Sequence, residues 1–553
     1  MPSPAILIVT PDHADFLLDE FGRYARDYEL RTVGSCEAAL DQLEAWRAEG
    51  VRTALIVSDS QLPDAHVLMA FTSWRAVVPT ARRVIVMPWD RFLDDSATLR
   101  PGLAKGKFDA GLLMPRGVRD EEFHTAITEL LSDWGSMVAA PEVVGAEIVA
   151  PAGDTLTPAL RDFLDRMGVP THVFDPESEV GLPLRAEAGA VAPCPLIRAP
   201  SFPTRSVTSV REVALQFNGL EADTERLFEV DLAIVGAGPA GLAAAVYGAS
   251  EGLSVVVLES EVVGGQAGSS SMIRNYLGFP RGISGMRLAQ RARSQAVRFG
   301  TRFLTGWEAT SLTPGAAGAP HTITTDDGVV RARAVVISTG VAYRKRRVPG
   351  IDPLRGLGVS CGAAMSAARE MGGADVVVVG GGNSAGQAAV HLSRYAKSVT
   401  ILVRRESLAE TMSQYLIDEI SYNSRIRVQT CSRVVDGGGE GRLEWLVIED
   451  ATTGEQTRRT AQGLFLLLGA EPRCDWLPAD VSRDESGFVL TGRDVPRDRW
   501  IDGLPPANLE TTVPGIFATG DIRSGSMKRV AAASGEGASA ISLVHAYLAP
   551  VDE

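Results

Sequence analysis

Short apolar runs alternate with amphipathic stretches through the first 135 or so residues. Runs at 5–9, 53–57, 83–87 and 111–114 predict buried strands, and the spacing of apolar positions over 36–48 and 121–134 predicts helices. Repeated strand–helix units of this kind predict a doubly wound parallel sheet. A linker of small residues, 135–145, ends that block. A shorter block follows, with predicted strands at 146–150, 171–174 and near 195–198 and helices at 157–167 and around 209–217. After a connector at 221–229 the pattern changes sharply. From Val230 onward, apolar strands run twice into glycine-rich turns.

The first of these turns carries the most chemistry. A strand over 231–235 breaks into Gly236-Ala237-Gly238-Pro239-Ala240-Gly241 and a helical stretch, 242–250. Strand, G-x-G-x-x-G and helix in this order form a dinucleotide fingerprint. Gly236 permits the tight turn, Gly238 lets the backbone approach a pyrophosphate, and Gly241 lets the helix pack close to the strand. Unpaired N–H groups at the helix start would face the phosphates. A second strand, 254–258, ends in Glu259, placed to accept from ribose hydroxyls.

The second turn follows a strand at 375–379 and reads Gly380-Gly381-Gly382-Asn383-Ser384-Ala385, with alanine in the third small position. Its next strand, 398–403, runs into Arg404 and Arg405 where the first has an acid. Arginine there accommodates a 2′-phosphate, which favours NADPH. Near the C-terminus an apolar strand within 514–521 is expected to end in Gly520-Asp521, and an aspartate at such a strand end accepts from a ribityl chain. Two dinucleotide sites with this returning aspartate imply FAD beside a nicotinamide.

Composition excludes other classes. The 553 residues, with 54 basic against 68 acidic side chains and a net charge of −14, predict three or four globular domains. Only five of the basic residues are lysines, and the longest basic run is Arg344 to Arg347, so no nucleic-acid partner is expected. Neither a signal peptide nor a membrane span is read in the chain, and five scattered cysteines (Cys36, Cys194, Cys361, Cys431, Cys474) form no CxxC. No metal site is indicated, and the chain reads as cytoplasmic.

Residues 228–548 resemble the low-molecular-weight thioredoxin reductases. The resemblance rests on the first fingerprint, Gly264-Gly265-Gln266-Ala267, 275–280 (Asn-Tyr-Leu-Gly-Phe-Pro), Ser338-Thr339-Gly340, Gly380 to Ala385 with Arg404-Arg405, Ala518-Thr519-Gly520-Asp521, and Lys528-Arg529-Val530 through Gly535-Glu536-Gly537. It implies a discontinuous FAD domain (228–344 and 469–553) with an inserted NADPH domain (345–468), and a homodimer. It also implies that Gln266, Asn275, Gly340 and the segment after Asp521, with Lys528, Arg529 and Val530, lie near the flavin. Lys528 and Arg529 would there favour a reduced, anionic flavin.

The departures from that family shape the function. Where it carries a CxxC, this chain reads Ser360-Cys361-Gly362-Ala363-Ala364-Met365, with Gly362 and Met365 at the two cysteine positions. A thiol–disulfide relay needs a second sulfur. Cys361 is left as a candidate lone thiol, against the plainer reading of a packed small residue.

Residues 1–135 resemble a response-regulator receiver domain, with Asp59 as the candidate phosphoacceptor. Thr10-Pro11-Asp12, Met87 and Met114 depart from the metal, hydroxyl and lysine positions, which reads as a pseudo-receiver. Residues 142–222 resemble a degenerate thioredoxin or glutaredoxin fold, with Pro151-Ala152-Gly153-Asp154 at the redox position and Cys194-Pro195 at the cis-proline loop.

The fold class expected is therefore α/β: a receiver-like domain, a thioredoxin-like domain and two Rossmann-type domains. The expected function is that of an FAD-dependent NADPH oxidoreductase. Electrons would pass through flavin directly to a small molecule, oxygen or a redox protein. The alternatives are a ferredoxin or flavodoxin–NADP reductase of the thioredoxin-reductase type, and a non-catalytic flavin redox sensor.

Overall fold

The computed structural model describes residues 3–104, 106–138, 145–189, 191–199, 202–217, 227–270, 272–280, 282–316, 318–343, 348, 350–361 and 365–549. Two compact units emerge, the first of residues 1–140, 371–376 and 381–431, the second of 141–370, 377–380 and 432–553.

The N-terminal part of the first unit alternates strictly: β1 (Ala5–Val9), α1 (Ala14–Phe21), β2 (Glu29–Val33), α2 (Cys36–Ala48), β3 (Thr53–Asp59), α3 (Val67–Val77), β4 (Arg82–Met87), α4 (Phe92–Ala104), β5 (Ala110–Leu113) and α5 (Glu121–Val138). All pairings are parallel and the order is β2-β1-β3-β4-β5, the flavodoxin-like doubly wound order. Successive side chains of β1 serve opposite faces. Ala5, Leu7 and Val9 join Phe71 and Trp74 on one side, and Ile6 and Ile8 join Phe21 and Ile127 on the other. Strand β2 presents no apolar run, because at this sheet edge its residues are half-buried or exposed.

The second unit opens with β6 (Ala146–Val149), α6 (Thr157–Met167), β7 (Thr171–Phe174), α7 (Gly181–Ala188), β8 (Leu196–Ala199), β9 (Phe202–Ser206) and α8 (Val210–Phe217). The sheet order is β7-β6-β8-β9, with β6 and β7 parallel and the rest antiparallel. Asp154 sets the start of α6, its Oδ2 accepting from the Thr157 amide at 2.7 Å and the Leu156 amide at 3.1 Å. The Cys194–Pro195 bond is cis. Helix α7 and strand β9 escaped the periodicity argument because one is eight residues with an internal proline and the other lacks alternation.

The rest of the chain adds β10 (Leu227–Val235), α9 (Pro239–Ser250), β11 (Val255–Glu259), α10 (Gly265–Gly268), α11 (Gly285–Arg298), β12 (Arg302–Thr305), β13 (Ala309–Thr313), β14 (His321–Thr325), β15 (Val329–Ile337), β16 (Val341–Tyr343), β17 (Val359–Cys361), α12 (Met365–Glu370), β18 (Asp375–Val379), α13 (Asn383–Leu392), β19 (Ser398–Leu402), α14 (Gln414–Tyr422), β20 (Ile426–Gln429), β21 (Ser432–Gly438), β22 (Trp445–Asp450), β23 (Gln456–Thr460), β24 (Gly463–Leu466), β25 (Ala470–Pro472), β26 (Ile516–Ala518) and α15 (Val530–Leu548). One sheet orders β12-β11-β10-β15-β14-β13, with β26 alongside β15. The pairing of β26 with β15 (Val335 opposite Ile516) brings the C-terminal segment back to the first fingerprint's sheet. A second sheet orders β17-β24-β18-β19-β20.

Two local expectations are corrected. The helix after the first fingerprint begins at Pro239 rather than 242, because proline's missing N–H costs nothing at the first helical position. The C-terminal strand stops at Ala518, and Asp521 lies in a 3₁₀ turn, Gly520–Ile522, rather than at a strand end. Gly520 has φ +76°, which a strand does not continue through.

Candidate functional site

The first glycine turn is built by contacts that leave no room for side chains. A Cβ on Gly236, at φ +103°, would sit 2.3 Å from the Ser338 carbonyl oxygen. One on Gly241 would sit 1.9 Å from the Gly236 oxygen, while one on Gly238 would meet nothing within 4 Å. The first and third glycines are therefore dictated by packing. The middle one faces open space at the N-terminus of α9, where free N–H groups favour an anion.

Several distant segments converge there. The Gly264 amide donates to the Ala237 carbonyl at 2.8 Å, and Gly265 lies against the Gly238 Cα. Gln266 Nε2 donates to the Val341 carbonyl, just past Gly340. Ser338 and Thr519 share a buried hydroxyl–hydroxyl bond of 2.8 Å. A Cβ on Gly520 would be 2.9 Å from that of Ala240, and one on Gly537 would be 2.0 Å from the Ala240 carbonyl oxygen, so α15 lies tight on α9.

Glu259 ends β11, as expected. Its carboxylate accepts from the Ala237 amide at 2.8 Å and the Glu261 amide at 3.0 Å. Burial pushes this carboxyl up, against the pull of those donors. Glu536 ties the C-terminal side: Oε2 accepts from the Gly520 amide at 2.7 Å, and Oε1 pairs with Arg523 at 2.6 Å. The role of Arg523 was not legible in the motifs. Its pairing with an acid thirteen residues on was the only available signal.

The remaining expected flavin-side residues are placed as follows. Burial pushes the Asp521 carboxyl up, and its backbone carbonyl accepts from Lys528 Nζ at 3.1 Å. That ammonium also lies 4.2 Å from the centre of the Phe488 ring, and burial pushes its pKa down. Arg529 is exposed and donates to the Lys528 carbonyl, and Val530 begins α15. Asn275 is exposed in the loop closed by the Ile273–Ile283 bridge. Among the described residues, no hydrogen bond ties its side chain to the cradle.

In the second turn, a Cβ on Gly382 again meets nothing within 4 Å, and Gly382 precedes α13 with extended backbone. Ala385 is buried, whereas Ser384 is exposed at the helix start. Asn383 and Ser413 bond reciprocally: Nδ2 donates to the Ser413 hydroxyl at 2.9 Å, and Oδ1 accepts from its amide at 2.7 Å. Thr411 Oγ1 donates to the Gly381 carbonyl at 2.8 Å. These partners were not legible in the sequence. Arg404 and Arg405 are exposed just beyond β19, and Arg405 pairs with Glu410 at 2.6 Å.

Asp59, at the end of β3, is 1% exposed and enclosed by charge. His13 Nδ1 is 2.9 Å from Oδ2, Arg91 Nη2 is 3.5 Å from Oδ1, and the Thr10 hydroxyl donates to Oδ2 at 3.4 Å. His13 and Arg91 were not singled out in the sequence, because neither occupies a position the receiver pattern assigns.

Cys36, Cys194, Cys431 and Cys474 are free. Burial pushes the Cys36 and Cys194 thiols up and that of Cys474 to about 11, the reverse of activation. Cys361 closes β17, but its side chain, Gly362 and the Met365 side chain lie outside the described residues.

The pyridine nucleotide-disulphide oxidoreductase profile matches residues 230–537. A thioredoxin reductase of Mycolicibacterium smegmatis is 31% identical over 326 residues, 58% of this chain and 97% of that one. A 34.2 kDa protein in the rubredoxin operon of Clostridium pasteurianum is 31% identical over 323 residues, again 58% of this chain and 97% of its own. The crystal structure of T. acidophilum thioredoxin reductase superimposes with a TM-score of 0.52 at 31% identity, covering 58% of this chain and 99% of that one. The match spans both glycine turns and the returning C-terminal segment. This chain is therefore an oxidoreductase and belongs to the pyridine nucleotide-disulphide oxidoreductase family.

Proposed function

We propose that the chain is an FAD-dependent NADPH oxidoreductase of the thioredoxin-reductase type that passes electrons from the flavin to its acceptor without a cysteine relay. One observation carries the cofactor reading. Four segments far apart in sequence, at 236–241, 264–266, 338–341 and 519–520, meet around the turn at Gly238, whose missing side chain leaves open space. Bound FAD supplies a two-electron carrier between nicotinamide and acceptor.

The chain's own residues place it. Gly238, with the N-terminal amides of α9, faces the pyrophosphate, Gly236 and Gly241 keep the turn and helix close-packed behind it, and Pro239 and Ala240 hold the helix start. Glu259 accepts from the ribose and Asp521 from the ribityl chain. Gly380, Gly382, Asn383, Ser384 and Ala385 form the corresponding NADPH turn, with Arg404 and Arg405 for the 2′-phosphate.

The absence of any CxxC in the sequence supports an acceptor other than a protein disulfide reached through a relay. A quinone, another small molecule, oxygen or a redox protein remains. The last is supported by relatives named as thioredoxin reductases and by one encoded in a rubredoxin operon. The sheet orders support receiver-like and thioredoxin-like modules ahead of the reductase, both stripped of their usual chemistry, and we propose a homodimer on the family resemblance.

Anaerobic stopped-flow mixing with NADPH tests this reading. Bleaching of the flavin band and fast reoxidation by a quinone or a redox protein are expected. No bleaching rejects the oxidoreductase assignment to this site, and rapid turnover with oxidised thioredoxin rejects the relay-free acceptor. Bleaching with no turnover on any acceptor would favour the redox-sensor alternative.

A further inference from the structure

The block at 146–217 reaches into the first cradle. Arg166, near the end of α6, donates from Nη2 to the Gly265 carbonyl at 2.7 Å. Gly265 is the residue that lies on Gly238. The same guanidinium crosses Gly268, where a Cβ would come within 3.4 Å of Nε and Nη2, and Nη1 stands 3.6 Å from Asp162. Its Nε is buried with no hydrogen-bond partner among the described residues. The loop after Glu259 answers in kind: Val262, 3% exposed, sits in one apolar cluster with Ile148, Leu160, Phe163 and Leu164. Arg211, at the start of α8, adds a second anchor, donating to the Gly306 carbonyl at 3.0 Å and pairing with Asp326 at 2.9 Å.

Between these contacts lies a cavity of about 330 Å³. Asp162, Phe163 and Arg166 line one wall, and Ser260, Glu261 and Arg473 line the other. Ser260 and Glu261 directly follow the ribose carboxylate, and the Arg473 amide donates to the Gly340 carbonyl at 3.5 Å. The space thus begins where the fingerprint strand delivers a nucleoside, and it is walled by polar groups of both signs, Asp162, Arg166, Glu261 and Arg473. A space directly after the ribose carboxylate, edged by donors and acceptors, suits a purine nucleoside, which hydrogen-bonds at its edges.

We propose that the 146–217 block completes the adenosine end of the FAD site, the cavity taking the purine nucleoside and Arg166 acting as a positioning residue that fixes the Gly265 turn. The proposal rests on the reading that the first cradle binds FAD. It gives a redox-inert module a function: its helix α6 closes the flavin's nucleotide half instead of presenting a redox thiol.

The test uses full-length apoprotein and flavin fluorescence quenching. Arg166→Ala is expected to raise the FAD dissociation constant at least tenfold and that for FMN, which lacks the adenylate, by a clearly smaller factor. Arg166→Lys, which keeps one donor towards the Gly265 carbonyl, is expected to recover part of the loss. In the unaltered protein, FAD but not FMN is expected to slow amide hydrogen exchange across 157–167, a readout that needs no variant to fold. Wild-type FAD affinity in Arg166→Ala, or equal protection of 157–167 by FMN, overturns the proposal. So does binding of AMP to the FAD-loaded protein with protection of 157–167, which would mark the cavity as a site for a free nucleotide. If unaltered apoprotein binds no FAD at all, it is the cofactor reading of the cradle that has failed.

Discussion

Gly238 and Gly241 belong to the same motif but answer to different forces, and substitution separates them. Gly238 has an ordinary backbone, φ −73°, and open space where a Cβ would go. Gly238→Ala is expected to leave apoprotein unfolding within about 0.5 kcal/mol of the parent and to weaken FAD binding at least tenfold by occupying the pyrophosphate's space. Gly241→Ala drives a methyl onto the Gly236 carbonyl and is expected to destabilise the apoprotein itself by about 2 kcal/mol or more. Denaturant titration and flavin fluorescence on both variants check the contrast. Asp109 offers a pH test. It pairs with Arg82 at 3.3 Å and Arg83 at 3.4 Å at the start of β4. Burial pushes its carboxyl up, but the combined pull of Arg83, Arg82 and Arg394 outweighs it and holds the group below its ordinary value of 3.8. A depressed carboxyl contributes stability above its unfolded-state value and loses it as pH falls through the native one. Asp109→Asn is thus expected to cost about 3 kcal/mol near neutrality, by taking the carboxylate from Arg83 and leaving Arg82 the longer pairing with Asp133 at 4.0 Å. The difference is expected to shrink below about pH 4. Denaturant melts at several pH values measure it, and a constant difference down to pH 2 would contradict the pairing.

At the scale of elements, two of the strands that the apolar runs predict are buried along their whole length, all five residues of β1 and all seven of β3. Strand β2 escaped at a sheet edge, half-buried or exposed throughout, and α7 is too short for a period to show. The first fingerprint helix was legible because a strand, a glycine turn and a helix follow one another without interruption. What was not legible is how the second turn is held. The Asn383–Ser413 exchange and the Thr411–Gly381 bond join residues thirty apart through a loop of no distinctive composition. Arg404 and Arg405 lie free of the fold's core, so Arg404→Ala with Arg405→Ala is expected to leave stability unchanged. The same pair is expected to raise KM for NADPH at least tenfold and to leave that for NADH within threefold. Steady-state kinetics with both nucleotides decide it, and equal losses would remove the 2′-phosphate assignment.

For the whole molecule, the cysteine inventory becomes a functional statement. Burial raises the Cys36, Cys194 and Cys474 thiols, so alkylation of the native protein at pH 8 is expected to be slow at all three. Cys361→Ser is expected to retain NADPH-driven reduction of the acceptor within twofold, whereas loss of turnover would restore a thiol to the mechanism.

The sequence by itself determined the two dinucleotide turns, the acid and arginine pair that distinguish them, and the absence of a CxxC. Each turn with its acid or arginine pair is set within about 25 positions along the chain, by turn, helix and strand in succession. Tertiary structure alone decided which distant segments close each turn: Glu536 reaching the Gly520 amide, Gly537 admitting α15 to the Ala240 carbonyl, and Arg166 reaching Gly265 from a separate module. Those approaches follow from how apolar faces bury against one another across the chain, a sum of long-range contacts that no local pattern records.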